Sequence, residues 1–366
     1  LHLDRRSRQN HRCRQTWAPS VRFHPLALLA ESLSHLSKTP YFNRAIEKHT
    51  TALIDVIKHA LSVSPAYDDE ILRSFADKVW VCHRYLQGST TKEAPYEIEY
   101  CMRHAIGDWL KAKCIVTTAL TDEKDFHLKP GDPWEYVATA MDRYKEPIPE
   151  EKLIFIGVPR IYKHMPLFCA ALYHELGHFV DLARDVAGTT LLSHPAEGAT
   201  DKMIEVILSH RREHFADLFA ACYAGPAIID TLYAINPDAG ISLSHPATAD
   251  RIEVVRGFLE GEEFDELTMF QEALASLGLP PLKRRYSIPS IASAFDDIRP
   301  YRLSTTEELH GMMAAGWSYL GQIKAGAGPS WAATGSQLEA VRIVNDLTEK
   351  TIRNASIRYL WERALT

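Results

Sequence analysis

The hydrophobic positions along this chain recur mostly at three- and four-residue intervals, which is the spacing of one face of an α-helix. This pattern predicts amphipathic helices over 41–61 and 68–86. Two short runs, 114–120 and 153–158, are instead continuously apolar and rich in β-branched side chains, so we predict buried strands there. Further helices are predicted over 95–113, 132–144 and 201–225, around HELGH, from Pro246, after Gly261 and over 336–365, with a polar connection over 187–200.

These elements predict a mostly α protein of the α+β class, in which a small sheet accompanies many helices. The length of 366 residues is enough for two closely packed lobes. A hydrophobic fraction of 46% and a charged fraction of 24% are typical of a soluble globular protein. The net charge of −6 gives no indication of a nucleic-acid partner.

Composition also bears on the compartment. No run of about 18 apolar residues is present, so we expect no integral membrane segment. The six cysteines show no CxxC spacing, which is unlike a disulfide framework or a zinc ribbon. We therefore expect a reducing, cytoplasmic location. The first 25 residues are rich in arginine and lack an apolar core, and we predict a disordered basic leader there.

The segment YHELGHFVD places two histidines four residues apart in an otherwise apolar helix. Residues i and i+4 share one helix face, so His174 and His178 can direct both imidazoles at one metal ion. Glu175 is rotated by about 100° from His174, which puts its carboxylate beside such an ion, where a general base is needed. The alternative is a polar exception on an ordinary buried helix, where these groups would need hydrogen-bond partners.

A catalytic zinc site needs a third protein ligand, and the segment REHFADLFA offers one. Glu213 and Asp217 lie four residues apart on one helical face. Glu213 is the candidate ligand, and Asp217 is the candidate acceptor for the outer N–H of a ligating histidine. The alternative for Glu213 is a solvated residue in the charged run HRREH. Asp181 lies one turn beyond His178, and we expect it to cap or support the site.

HELGH followed by EHFAD resembles the two motifs of the gluzincin metallopeptidases, in which the glutamate of the second motif is the third zinc ligand. The resemblance implies a zincin-like core with one Zn²⁺ bound by His174, His178 and Glu213. It also implies that Glu175 is the general base of peptide hydrolysis. ImmA/IrrE-type peptidases, which carry HELGH and a similar second helix, are the second choice of relative.

A third segment, SHPATADRI at 244–252, resembles the HPxxxxRI signature of the CAAX-prenyl-protease and HtpX-like group. The resemblance implies that His245 and Arg251 stabilise the tetrahedral intermediate, since a developing oxyanion needs positioned donors. Without it, SHPAT is also typical of a helix start with proline in the first turn. The likeness covers roughly 150–260. The membrane helices of that group are missing and the two motifs lie closer together, which implies a soluble, divergent relative.

We therefore expect a zinc metallopeptidase that acts on a protein or peptide substrate, with no nucleic-acid partner. The strand at 153–158 is expected to lie near the cleft and to pair with an extended substrate. The predicted regions are a leader (1–25), an N-terminal helical region (26–150), a zincin-like metallopeptidase core (151–262) and a C-terminal helical region (263–366).

Four other interpretations differ in chemistry. A metzincin would carry glycine at 181 and histidine at 184, where this chain has aspartate and arginine, so that class is excluded. HRREH also matches the inverted HxxEH motif, but a site there would leave HELGH and Asp217 without a role. A structural zinc site could be closed by Asp181 or His210. Finally, a regulatory or sensing protein could keep a zincin scaffold and cleave one partner or none.

Overall fold

The computed structural model describes residues 24–39, 44–63, 67–90 and 96–365. The described residues are 65% helix and 6% strand, which confirms the predicted mostly α, α+β class. The predicted leader and the first residues of the helices expected from 41 and 95 fall largely outside the described residues. The helices before residue 150 are α1 (His24–Leu36), α2 (Arg44–Ser62), α3 (Asp69–Gly88), α4 (Tyr96–Gly107) and α5 (Pro133–Ala140).

In the described part of the chain, three strands form one small sheet in the order β1-β3-β2. Strand β1 (Cys114–Thr121) pairs in parallel with β3 (Lys152–Pro159), and β2 (His127–Lys129) pairs antiparallel with the other edge of β3. The two longer strands correspond to the predicted runs at 114–120 and 153–158. Because β1 and β3 lie on either side of residue 150, the sheet joins the predicted N-terminal region to the predicted core.

The remaining helices follow β3 and build most of the larger core. They include the HELGH helix and the EHFAD helix, which pack against each other, and they end in a long C-terminal helix. In chain order they are α6 (Ala171–Arg184), α7 (Val186–Ser193), α8 (Asp201–Ala224), α9 (Ala227–Ile235), α10 (Thr248–Glu260), α11 (Asp265–Ser276), α12 (Ala292–Asp296), α13 (Thr306–Lys324), α14 (Ser330–Thr334) and α15 (Gln337–Leu365).

The sheet lies between two helical layers, each with its own apolar core. Side chains of β3 alternate between them: Leu153 and Phe155 enter the core of α1, α2, α3 and α5, while Ile154 and Ile156 enter the core that contains α6 and α8. Strands that are buried on both faces have continuous apolar sequences, which is why these two runs were predictable.

Three sequence expectations were wrong. The segment predicted as a polar connection over 187–200 begins with α7, because Val186, Ala187 and Thr190 form a buried face against neighbouring helices. The region after Gly261 is not helical throughout, since 279–290 is irregular and buries Leu282. The helix predicted over 132–144 ends at Ala140, where Met141 leaves helical geometry and enters the smaller core.

Within the described residues, no helix combines the length and the apolar character needed to span a bilayer.

Candidate metal centre

The candidate site is built at the contact between α6 and α8. Gly177, inside HELGH, lies directly against α8: a Cβ atom there would be 2.8 Å from the Cα of Ala216 and 3.1 Å from the Cβ of Phe219. The missing side chain therefore allows the two helix backbones to approach closely. This approach brings the histidines of α6 opposite the carboxylates of α8.

Three side chains from these helices converge on one point. The Nε2 atoms of His174 and His178 lie 2.9 Å apart. Glu213 Oε2 is 3.4 Å from Nε2 of His174, and Glu213 Oε1 is 3.3 Å from Nε2 of His178. One donor atom from each residue lies within 4.8 Å of the others, a group that could hold a metal ion.

The surroundings of Glu213 fit a bound cation. Its Oε2 atom is buried and has no hydrogen-bond partner, although His174 Nε2 is nearby. A buried acceptor without a partner is costly, and coordination to a cation would remove that cost. Two imidazole nitrogens and one carboxylate oxygen suit zinc or another first-row transition metal better than Ca²⁺ or Mg²⁺, which prefer oxygen ligands.

A fully buried carboxylate supports the first histidine. Asp217 Oδ1 is 2.9 Å from Nδ1 of His174, on the side of the ring away from Glu213. A proton on Nδ1, donated to Asp217, leaves the lone pair of Nε2 directed at the converging point. Arg251 in turn donates to both oxygens of Asp217, from Nε at 2.7 Å and Nη2 at 2.8 Å.

The charges at the site favour a positive ion. Burial alone would lower the pKa of His174, but the Asp217 and Glu213 carboxylates outweigh it and raise the pKa to about 10. Burial would likewise raise the pKa of Asp217, but Arg251 and His174 bring it to about 2. The pKa of Glu213 lies well below its usual range, because His174 and His178 outweigh its burial. Both carboxylates are therefore ionised, and they attract a proton or a metal ion to the imidazoles.

Glu175 lies beside the donor group without belonging to it. It is 7% exposed, and its Oε2 accepts a hydrogen bond of 2.6 Å from the backbone N–H of Leu128. Leu128 is the central residue of β2, at the free edge of the sheet. The candidate base is thus held between the HELGH helix and the edge strand.

His245 and Arg251 approach Glu213 from different directions. His245 Nε2 is 3.6 Å from Glu213 Oε1, and its side chain is 55% exposed on the wall of the cleft. Arg251 Nη2 is 3.5 Å from Glu213 Oε2, but its side chain is only 12% exposed. The structure therefore brings both residues to the site, with His245 on the open side and Arg251 on the buried side.

Asp181 and His210 are engaged elsewhere. Asp181 Oδ1 accepts a hydrogen bond of 2.7 Å from the backbone N–H of Ala187, and its Oδ2 is 3.4 Å from Nε of Arg212. It therefore joins the end of α6 to the start of α7. His210 Nε2 lies 2.8 Å from the carbonyl oxygen of Ser242. Neither belongs to the donor group of His174, His178 and Glu213.

The donor group opens into a cleft of about 880 Å³. One wall is apolar and comes from α9, through Ile228, Leu232 and Ile235. Another part of the lining comes from β2, which the sequence did not predict. The three residues His-Leu-Lys are too few to show the two-residue alternation of a strand. The sequence signal for β2 was therefore limited to one apolar residue between polar ones.

Comparison of the chain with family models, curated proteins and solved structures finds no match in any of the three. What this site does must therefore be inferred from its own residues.

Proposed function

We propose that the protein is a zinc-dependent metallopeptidase that hydrolyses peptide bonds in a protein or peptide substrate. The observation that carries this proposal is the placement of Glu175 next to the donor group of His174, His178 and Glu213, in an open cleft. A structural site has no use for a carboxylate held beside the ligands. A hydrolytic site needs one there, as a base.

His174, His178 and Glu213 would hold the zinc ion. When bound, the ion would supply Lewis-acid chemistry, polarising a carbonyl group and acidifying a water molecule. Asp217 fixes the tautomer of His174 that this binding requires. The remaining chemistry falls to side chains of the cleft.

Glu175 would accept the proton of the attacking water and pass it to the leaving amine. The backbone N–H of Leu128 holds one oxygen of this carboxylate and orients it. His245, on the open side, would donate to the developing oxyanion. Arg251 would contribute from the buried side of the site. Its guanidinium is paired with Asp217, and its positive charge lies near Glu213.

Replacement of Glu175 by glutamine tests this assignment. We expect Glu175→Gln to keep one zinc per chain and to lower casein hydrolysis by about 10²- to 10⁴-fold, because the proton acceptor is lost while the ligands remain. Zinc content by elemental analysis and cleavage of fluorescent casein are the two measurements. Glu205→Gln, at an exposed position of α8, is the matched control and should behave like the wild type.

Three results would contradict the proposal. Hydrolysis by Glu175→Gln at the wild-type rate would remove Glu175 as the base. Loss of zinc after His174→Ala and His178→Ala without any effect on hydrolysis would separate the ion from the activity. Full zinc occupancy without cleavage of any substrate would favour a regulatory protein that keeps the zincin scaffold.

A further inference from the structure

A second cavity, of about 890 Å³, adjoins the catalytic cleft and has no role in the chemistry described above. It lies beside the second half of α6 and the connection from β2 to α5. The two cavities share three lining residues, Leu128, Pro130 and Leu182. They are therefore neighbouring compartments of one surface depression.

Strand β2 leads from one compartment to the other. The cleft is lined by Asp125, Phe126, His127 and Leu128, and the second cavity by Leu128 and the next four residues to Asp132. An extended chain rises about 3.3 Å per residue, so the four steps from Leu128 to Asp132 span at most roughly 13 Å. A peptide that lies along β2 with its scissile bond at Glu175 would enter the second cavity within about five residues.

The floor of the second cavity is apolar and its rim is basic. The apolar lining residues of the floor include Ile154 and Leu279, which are buried, and Phe179, which is partly buried. The charged lining residues are Lys111, Lys129, Lys152, Arg184, Asp132 and Glu135.

The two carboxylates of the rim are already engaged. Glu135 forms an ion pair of 3.2 Å with Lys152, and Asp132 accepts a hydrogen bond of 2.9 Å from the backbone N–H of Trp134. Lys111 and Lys129 are exposed, and among the described residues neither forms an ion pair. The ammonium groups of Lys111 and Lys129 are therefore available to a ligand in the cavity.

We propose that the second cavity is an extension of the substrate site that selects peptides with an acidic side chain within about five residues of the scissile bond. The inference rests on the proposed peptidase function and adds a substrate class to it. Lys111 and Lys129 would contact the acidic side chain, and the apolar floor would contact neighbouring side chains of the peptide. Extended acidic segments would then be preferred over neutral or basic ones.

The first experiment maps cleavage sites in a proteome-derived peptide library with the wild type, Glu175→Gln and the double variant Lys111→Glu/Lys129→Glu. We expect acidic residues to be enriched on one side of the wild-type cut sites. The double variant should lose that enrichment or exchange it for basic residues. Lys202→Glu/Lys350→Glu, which reverses two exposed charges away from both cavities, is the matched control and should keep the wild-type profile.

A second experiment measures kcat/KM for two peptides that differ only by Glu or Gln at the enriched position. Two partly exposed charge pairs should make the Glu peptide about three- to tenfold better for the wild type, and the ratio should fall to about one or below in the double variant. Thermal unfolding of each variant checks that it is folded.

The two proposals fail in different ways. Cleavage that needs Glu175 but shows no acidic enrichment, or an enrichment that survives in the double variant, overturns the substrate preference alone. No cleavage by the folded, zinc-loaded wild type overturns the peptidase function and the preference with it.

Discussion

At the scale of single residues, the unit formed by His174, Asp217 and Arg251 decides how the donor group is held. Asp217 is fully buried and would be costly alone, but Arg251 donates to both of its oxygens. The carboxylate can therefore stay ionised at 2.9 Å from the His174 ring. A substitution at Asp217 should therefore change metal affinity by altering how His174 is held, although Asp217 is not itself a ligand.

Asp217→Asn should lower zinc affinity by about 10- to 100-fold, because the amide is a weaker acceptor for the His174 N–H. Competition with a chromophoric chelator measures the affinity. Asp181→Asn is the matched control. Asp181 is a second buried carboxylate, on α6, and its partners are Ala187 and Arg212 rather than His174. Equal zinc affinities for the two variants would contradict the supporting role of Asp217.

The paired residues within each helix could be found in the sequence because their spacing depends only on helix periodicity. Four-residue spacing places His174 above His178 and Glu213 above Asp217 whatever surrounds the two helices. The contact between Glu175 and Leu128 had no such signal. It joins residues 47 positions apart through the pairing of an edge strand, and pairing of that kind is a tertiary property.

At the scale of elements, the interface between α6 and α8 sets the distance between histidines and carboxylates. Gly177 is its tightest point, with Ala216 facing it. Adding a methyl group would push the α8 backbone, which cannot move without displacing Glu213 three residues earlier on the same helix. The glycine of HELGH is therefore a structural requirement of the site in this chain.

Gly177→Ala should lower the free energy of unfolding by about 1–3 kcal/mol, through overpacking against α8, and should weaken zinc binding as well. Gly321→Ala in α13 is the matched control. An added Cβ meets no atom within 4 Å there, so alanine should be neutral or stabilise the helix by up to about 1 kcal/mol. Urea unfolding and chelator competition measure the two effects. Unchanged zinc affinity in a destabilised Gly177→Ala would show that α8 adjusts without moving Glu213.

Elements with a long, regular pattern were predictable, and those shaped by their neighbours were not. Helix α8 has an N-cap at Thr200 and ends at Gly225 in a positive-φ conformation, both of which are local signals. Helix α7 has no capping side chain and follows Asp185, a non-glycine residue with φ of 51° that directly succeeds α6. Its position depends on the hydrogen bond from Ala187 to Asp181, which no local pattern records.

At the scale of the whole molecule, the sheet lies between two apolar cores and contributes side chains to both. The smaller core contains a buried histidine, His49 of α2, whose Nδ1 accepts a hydrogen bond of 2.7 Å from Nε1 of Trp134. A proton on Nδ1 would break that bond. Burial lowers the pKa of His49 to about 4, although the Glu151 carboxylate acts in the opposite direction.

This histidine makes stability depend on pH. The unfolded chain, with a histidine pKa of about 6.5, binds the proton before the folded chain does. The stabilisation is therefore complete above pH 6.5 and is lost as the pH falls towards 4. Between pH 7.5 and 5, His49→Asn should lose about 2 kcal/mol less of unfolding free energy than the wild type. Urea unfolding at both pH values measures this, with exposed His35→Asn as control. Equal losses in all three proteins would contradict it.

The pairing of the strands also orders the events of refolding. Helices form within microseconds, whereas parallel pairing of β1 with β3 must close a long intervening loop and is slower. The two histidines and Glu213 need only α6 and α8, but Leu128 reaches Glu175 only after β2 has joined β3. A refolding chain should therefore acquire the capacity to capture a metal ion before Glu175, the proposed base, is held in place, so that metal uptake precedes the return of the proposed hydrolysis.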